Sequence, residues 1–388
     1  MYQKTTMLLV IVLYLLKVTK GLSLQDTKNI YKNIFNGYNR EIFPLYDKSN
    51  GLHVGITFWL KSINRFDEVN EILMITAMVS MNWIDPSLSW DPETFGNTSV
   101  LRIPSSSIWI PWLYLLNSAD ELYPLGRDTH YLATVNADGV ITCGPGAILK
   151  ANCPTDVSKF PFDTQICTLK FVTWGAGPEV VLSSTTGIGS ILLDYYTPNP
   201  HWNIKSHRTF VEEGDPMQMY KVEITLQRKP VYYFVVIVLP TLMFSLLNPL
   251  VFLLPIESGE RISLSMTILL AFVFFLTLVA NFIPESSTAM CFLLVIMIIM
   301  IAISSMIVVF VIITTRLYYQ VTLTDKASID IAIITYLYKQ MTECTNEPME
   351  SKELSGADLA KNLDKIFMFV SYSVVSFIMT AYCYHIVK

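Results

Sequence analysis

The sequence predicts a membrane protein of the β + α class, with a β-rich N-terminal domain followed by a four-helix transmembrane bundle. Three observations predict it. Hydrophobic residues make up 52% of the 388 residues and charged residues only 15%, whereas soluble domains carry about 25% charged residues. Four long uncharged stretches all follow residue 229. Before them, short apolar runs separated by Gly, Pro, Asn and Asp are typical of a β-sandwich.

The first residues predict a signal peptide. Lys4 precedes an uncharged run from Thr5 to Leu16, and small residues follow near Gly21 and Ser23. Such a run is too short to cross a bilayer, which takes about 20 residues. We therefore expect residues 1–23 to be a signal peptide and residues 24–229 to be exported into an oxidising space. The alternative for the leader is a buried helix.

The four uncharged stretches predict transmembrane helices. Each is long enough to cross a hydrocarbon core of about 30 Å, and a helix satisfies every backbone polar group within lipid. The alternative would require four such buried helices in one soluble domain. The predicted spans are residues 230–256, 262–284, 286–315 and 366–386, with a short cytoplasmic loop at 316–365.

The signal peptide sets the predicted orientation, because the 316–365 loop mixes basic and acidic residues and decides little. We expect a multi-pass plasma-membrane protein whose N-terminal domain and C-terminus are both extracellular. The sequon Asn97-Thr98-Ser99 lies in the exported part, where Asn97 is a candidate glycosylation site.

A pair of cysteines carries the most specific motif. Cys153 and Cys167 enclose the sequence Phe160-Pro161-Phe162-Asp163, and in an exported domain this spacing can close as a disulfide. With four helices downstream, the pattern resembles the signature loop of the Cys-loop receptor family.

The resemblance covers nearly the whole mature chain and points to the nicotinic-acetylcholine-receptor-like branch. It implies an immunoglobulin-like β-sandwich that binds ligand, and a homo- or hetero-pentamer of like subunits around a central pore in a postsynaptic membrane. Agonist sites would lie at the subunit interfaces, and agonist binding would open the pore. Further matching segments, from the early strand motif to the last helix, begin at Trp83, Ile108, Arg228, Gly259 and Leu363.

The second span contains a stripe of polar and distinctive residues at alternating steps of four and three, which keeps them on one helical face. In a pentamer the stripe would line a wet path, because intramembrane polar residues normally face a cavity or protein. The alternative is helix packing through small polar groups. The stripe consists of Ser263, Thr267, Leu270, Phe274, Thr277 and Asn281.

The apolar middle of this stripe predicts a gate, since hydrophobic constrictions close by dewetting. Leu270 and Phe274 form it, and Phe274 departs from the smaller valine of nicotinic relatives. At the inner end, Glu257 and Glu260 would form two acidic rings, which attract cations. Anion-selective relatives have Pro-Ala-Arg at this place, and this chain does not. We therefore expect the permeant ions to be monovalent cations.

Nicotinic-type sites hold an ammonium group in an aromatic box. The resemblance places Trp174 at the centre of this box and Met78 where the complementary strand of relatives has a tryptophan. Tyr114, Phe210 and Tyr220 are candidate walls, with core packing as the alternative for each. The expected ligand is a small-molecule agonist of the amine class.

The resemblance also marks residues that couple the ligand site to the pore at the domain junction. Glu68 and Arg228 are expected to form a partly buried ion pair, with a surface pair of no consequence as the alternative. The coupling set is Glu68, Val69, Phe160, Pro161, Phe162, Asp163, Arg228 and Pro284.

The sequence argues against two other function classes, an enzyme and a nucleic-acid-binding protein. The sequence has no Gly-x-Ser-x-Gly, no His-Glu-x-x-His and no phosphate-binding Gly-Lys-Ser/Thr, which argues against an enzyme and indicates no cofactor or metal. A net charge of −5 gives no reason to expect nucleic-acid binding. An accessory or silent subunit, needing other subunits or a non-classical ligand, stays open, because the walls of the aromatic box other than Trp174 match the family poorly and no adjacent cysteine pair lies between Trp202 and Arg228.

Overall fold

The computed structural model describes residues 24–44, 51–127, 130–174, 179–185, 190–214, 217–284, 290–320 and 356–387. The predicted signal peptide and most of the predicted 316–365 loop lie outside these residues. The chain divides into two compact units. The β-unit comprises Met1–Pro154 and Gln165–Gln227, and the helical unit comprises Thr155–Thr164 and Arg228–Lys388.

The β-unit begins with helix α1, Leu24–Ile34, which buries Ile30 and Ile34. A seven-stranded sheet follows, with strand order β3-β5-β6-β2-β1-β9 and β7 paired to β2. Its strands are β1 Leu52–Asp67, β2 Ile72–Ile84, β3 Val100–Pro104, β5 Leu132–Asn136, β6 Val140–Cys143, β7 Gly146–Asn152 and β9 Val180–Ser184.

A four-stranded sheet of order β10-β11-β8-β4 completes the β-unit. The two sheets share one apolar core, in which the rings of Phe58 on β1 and Phe171 on β8 lie 6.0 Å apart. The β-sandwich prediction is therefore confirmed. The strands of this sheet are β4 Leu113–Leu115, β8 Thr164–Thr173, β10 Trp202–Glu212 and β11 Met219–Arg228.

Period-two alternation in the sequence explains how the strands face this core. Along β2, the buried residues Leu73, Ile75 and Val79 alternate with Met74, Thr76 and Met78, which are half-buried or exposed. Burying each large apolar side chain contributes about 1.5–3 kcal/mol. The opposite face of β2, which carries Met78, does not pack into this core.

The helical unit contains four helices long and apolar enough to cross a membrane within the described residues, so the predicted fold class is confirmed. Helix α2 turns π-helical at Phe234–Val238, just before Pro240, whose ring cannot donate a hydrogen bond to the preceding turn. The helices are α2 Val231–Leu253, α3 Glu260–Ala280, α4 Phe292–Gln320 and α5 Gly356–Val387.

Helix α5 begins at Gly356, earlier than the apolar run from which the fourth span was predicted. The polar first turns belong to the helix because Leu359 and Leu363 are buried against Leu317 of α4. The positions at which the helices enter and leave the membrane stay predictions.

Candidate ligand and ion sites

Trp174 and Tyr114 are brought together by strand pairing in the four-stranded sheet. Trp174 directly follows β8, and Tyr114 on β4 lies opposite Val172 of β8. The two rings meet edge to face with centroids 6.3 Å apart. Trp174 is 51% exposed, so its indole face is available to a cation from outside the chain.

Tyr220 does not belong to an exposed site, and the prediction that it contacts agonist is wrong. Its side chain is 0% exposed. Its ring lies 6.4 Å from that of Phe171 in the sandwich core. Alternation along β11 places Tyr220 on the buried face with Val222 and Ile224, so core packing is its role.

Phe210 on β10 is half-buried, and its ring already contacts a cationic side chain of the same chain. The guanidinium of Arg208 lies 5.1 Å from the Phe210 ring centre. Arg208 donates two hydrogen bonds, of 2.8 and 2.9 Å, to the carboxylate of Glu223, and these hydrogen bonds raise the pKa of Arg208. One face of Phe210 is thus occupied, and its part in agonist binding stays a prediction.

Met78, a predicted ligand-binding residue, lies on the face of β2 that points away from the sandwich core. It is 38% exposed and lies opposite Trp59 of β1 and Gly146 of β7. A β-carbon at Gly144 would come within 3.3 Å of the Met78 sulfur, so the thioether lies against the Gly144 backbone. The nearby thiol of Cys143 is buried, and burial raises its pKa to about 12.

The Cys153–Cys167 disulfide is present in the β-unit. The two Cα atoms are 5.1 Å apart, and both residues are buried. The backbone N–H of Cys153 donates a 2.7 Å hydrogen bond to the carbonyl of Glu71. The bridge closes the loop that contains Thr155–Thr164, the segment that packs with the helical unit.

The tip of this loop encloses a buried ion pair. Arg228 donates hydrogen bonds of 2.7 and 3.1 Å to the two carboxylate oxygens of Asp163. The Arg228 guanidinium also lies 5.0 Å from the ring centres of Phe160 and Tyr233, which meet edge to face. The Phe160–Pro161 peptide bond is cis.

The other coupling residues are placed unit by unit. In the helical unit, Phe162 is exposed and Pro284 is buried. In the β-unit, Val69 is exposed and Glu68 is half-buried. Since Glu68 and Arg228 belong to different units, their predicted ion pair stays a prediction.

Helix α3 separates a packed face from an open one. The packed face buries Arg261, Ser265, Ile268, Phe272 and Val279. All six residues of the predicted stripe are exposed, among them Leu270 at 56% and Phe274 at 64%. The hydroxyls of Thr267 and Thr277 donate to carbonyls of their own helix, which leaves oxygen lone pairs on the open face.

The two acidic residues before and at the start of α3 have different surroundings. Tyr318 of α4 donates a 2.6 Å hydrogen bond to the carboxylate of Glu257, which borders a cavity of about 450 Å³ with Lys361 and Lys365 of α5. The carboxylate of Glu257 thus has a partner on α4, and its place in an acidic ring stays a prediction. Glu260 is exposed and, within the described residues, makes no ion pair or side-chain hydrogen bond.

Sequence reasoning missed a second buried ion pair. Arg261 of α3 and Asp364 of α5 lie 3.0 Å apart with both side chains almost fully buried. Arg261 also donates 3.4 Å hydrogen bonds to the carbonyls of Val251 and Phe252, so it ties three helices together. Both residues lie just outside the predicted spans, Arg261 before residue 262 and Asp364 before residue 366, so no pattern in the sequence indicated that they pair within the helical bundle.

Comparison with known protein families gives two matches. Residues 27–230 match the neurotransmitter-gated ion-channel ligand binding domain. Residues 237–354 match the neurotransmitter-gated ion-channel transmembrane region. Members of this family are ligand-gated channels and not enzymes.

Acetylcholine receptor subunits are among the curated proteins similar to the chain. It is 34% identical to acetylcholine receptor subunit alpha-1-A of Xenopus laevis over 289 residues, 72% of this chain and 62% of that one. It is 32% identical over 277 residues to acetylcholine receptor subunit alpha-like of Manduca sexta, 68% of this chain and 53% of that one. The aligned part spans little more than half the length of these relatives. The chain belongs to the Cys-loop family of neurotransmitter-gated ion channels, in the branch resembling nicotinic acetylcholine receptor subunits.

Proposed function

We propose that the chain is one subunit of a pentameric cation channel in the plasma membrane, opened by a small amine that binds at interfaces between extracellular domains. The observation that carries the proposal is the open face of α3. The stripe from Ser263 to Asn281 is exposed, whereas the opposite face packs against the chain's own helices. Hydroxyl and amide groups are costly in lipid, so an assembly that turns them toward a shared water-filled path is favoured.

Cation selectivity follows from the acidic residue at the start of this helix. Glu260 lies in the first turn of α3 and has no partner within the described part of the chain. Repeated around a pentamer, it forms a ring of carboxylates that attracts monovalent cations and repels anions. The ring lies on the cytoplasmic side if the N-terminal domain and C-terminus are extracellular.

The ligand class follows from Trp174 and Tyr114. An exposed indole with an aromatic neighbour 6.3 Å away binds ammonium groups through the negative face of its ring. The names of the relatives refer to acetylcholine, a quaternary ammonium, which makes it the first compound to test. Transmission to the pore is assigned to the coupling residues around the Cys153–Cys167 loop.

Expression of the chain alone in oocytes tests the proposal. Acetylcholine or another amine should elicit current whose reversal potential follows sodium and potassium when the external salt is diluted. A current that follows chloride would contradict cation selectivity, and an amine-evoked current that Trp174→Ala leaves unchanged would contradict the proposed binding residue.

An accessory subunit is the second candidate, and specific observations favour it. Tyr220 is buried, one face of Phe210 is covered by Arg208, and Met78 offers no aromatic ring. Such a subunit would reach the surface and give amine-evoked current only when co-expressed with another nicotinic-type subunit. Current from the chain alone would exclude this reading.

A further inference from the structure

The proposed amine site lacks an aromatic residue at Met78, but the neighbouring strand supplies one. Trp59 of β1 lies directly opposite Met78 of β2 in the antiparallel register. Residues paired in this way point to the same face of a sheet, with Cβ atoms about 4.5–5.5 Å apart. Trp59 is half-buried, so part of its indole is accessible on the face that carries Met78.

A second aromatic residue covers Trp59. The ring of Tyr195 lies 6.1 Å from that of Trp59 at an interplanar angle of 30°. Tyr195 is 75% exposed, so most of its ring surface is open to another molecule. Contiguous exposed apolar side chains, unlike single ones, mark interaction sites on protein surfaces.

Backbone hydrogen bonds fix the turn that presents Tyr195. The N–H of Tyr196 donates a 2.9 Å bond to the carbonyl of Leu193, which closes the turn. Before the turn, Leu192 exchanges hydrogen bonds with the backbone of β1 on both sides of Trp59. After the turn, the N–H of Thr197 donates a 2.8 Å bond to the carbonyl of Lys61. The turn is thus anchored to β1 at both ends, and the position of Tyr195 over Trp59 is set by the backbone.

The chemistry of this cluster suits an organic cation. Two aromatic rings offer negative faces, and the Met78 thioether adds a polarisable contact beside them. Asp194, next to Tyr195 in the turn, is exposed and has no ion-pair or hydrogen-bond partner within the described residues. Its carboxylate adds negative potential to the same edge of the β-unit, which favours a positively charged ligand over a neutral one.

We infer that Trp59 and Tyr195 form the aromatic wall of the complementary half of the amine site, beside Met78, which has no aromatic ring. The inference rests on the proposed function, because the ligand is then held between this wall and Trp174 of an adjacent subunit. The ammonium group contacts the two rings, and Met78 borders them.

Protection of a cysteine at position 78 tests this wall without requiring that the channel open. The full chain carrying Met78→Cys is expressed in cell membranes and treated with a trimethylammonium-ethyl methanethiosulfonate. Tetramethylammonium is the competing probe, and modification is measured on the peptide that contains residue 78, so native thiols do not contribute. Trp59→Ala and Tyr195→Ala should each raise the half-protecting concentration by about tenfold, as expected for a lost cation–π contact.

Two further variants separate ligand contact from folding. Trp112→Ala removes another exposed tryptophan of the β-unit and should leave protection unchanged. Fluorinated tryptophans at position 59 keep the shape of the ring but weaken its negative face, so the half-protecting concentration should rise with each added fluorine. This series gives the answer even if Trp59→Ala does not reach the surface.

The outcomes distinguish this inference from the proposed function. If Trp174→Ala weakens protection while the fluorinated series and Tyr195→Ala do not, the wall is overturned and the proposed function stands. If tetramethylammonium fails to protect the Met78→Cys parent, the wall is also overturned. If, besides this lack of protection, no amine evokes current from the chain with or without a second subunit, the proposed function is overturned as well.

Discussion

Arg228 and Asp163 form a two-point ion pair that is almost completely removed from solvent. Their nitrogen–oxygen distances are 2.7 and 3.1 Å, and each side chain is 1% exposed. The rings of Phe160 and Tyr233 lie beside the same guanidinium. The pair therefore fixes the tip of the Cys153–Cys167 loop to the segment that begins helix α2.

The first prediction concerns this pair. Asp163→Asn keeps an oxygen acceptor but leaves the buried Arg228 charge uncompensated, and breaking such a pair costs about 3–5 kcal/mol. We expect a large loss of surface expression and of thermal stability of the purified protein. Asp120→Asn is the matched control, because its pair with Lys150 is solvent-exposed and contributes about 0–1 kcal/mol. Equal effects of the two variants would show that the buried Arg228–Asp163 pair contributes no more to stability than an exposed ion pair.

The second prediction assigns cation selectivity mainly to Glu260. Glu260→Gln should shift the reversal potential under salt dilution toward the chloride value, because it removes the free carboxylate at the start of α3. Glu257→Gln should shift it less, since the hydroxyl of Tyr318 already holds that carboxylate. A larger shift for Glu257→Gln than for Glu260→Gln would reverse the assignment.

Releasing Glu257 gives an internal control for the same experiment. Tyr318→Phe removes the hydroxyl that donates to Glu257 and leaves the ring in place. If the hydrogen bond restrains Glu257, then Glu257→Gln should alter selectivity more in the Tyr318→Phe background than in the parent. An identical small effect in both backgrounds would mean that the hydrogen bond does not restrain this carboxylate.

The third prediction concerns the agonist face. Trp174→Ala should raise the half-activating amine concentration by about tenfold or more, matching the roughly 1–2 kcal/mol of a desolvated cation–π contact. Trp174→Phe should retain part of the response because it keeps an aromatic face. Concentration–response curves, corrected for surface expression, measure both. Unchanged curves for Trp174→Ala would place the amine elsewhere.

Local patterns in the sequence were enough to predict the β-unit and the helical unit. They also contained the signal that the prediction for Tyr220 overlooked. The uncharged runs and the alternating strands follow from local composition and periodicity, which need no knowledge of distant contacts. Tyr220 alternates with Lys221 and precedes Val222 and Ile224. This alternation indicated a buried position, and the structure shows that it decides the role of the ring.

Other features depend on pairings between distant parts of the chain. Tyr195 meets Trp59 only because backbone bonds hold the turn around it against β1. The hydrogen bond from Tyr318 to Glu257 depends on how α4 packs beside the short turn before α3. A single sequence has no local signal for either contact, since residues far apart carry no common periodicity.

The fourth prediction uses the buried thiol of Cys143. Burial raises the pKa of this thiol from 9.0 to about 12, so in the folded protein it stays protonated through pH 9–11, where an unfolded thiol ionises. An alkylating reagent should modify Cys143 slowly at pH 9 in the folded protein and quickly after unfolding. Above pH 9 the unfolded state loses its proton first, so stability should fall as the pH rises toward 12. Rapid labelling of the folded protein at pH 9 would show that Cys143 is accessible.

The last prediction concerns the gate. Leu270 and Phe274 lie one turn apart on the open face of α3, so in a pentamer they form two adjacent apolar levels that leave water few hydrogen-bond partners. Phe274→Ser or Leu270→Thr lowers the free energy of hydrating the closed pore and shifts the closed–open balance toward open. Leak current or greater amine sensitivity should follow in whole-cell recordings. Val273→Thr is the matched control, because Val273 is exposed beside the stripe but not on it. If Val273→Thr produces the leak and Phe274→Ser produces neither leak nor a change in conductance, another face of α3 lines the pore.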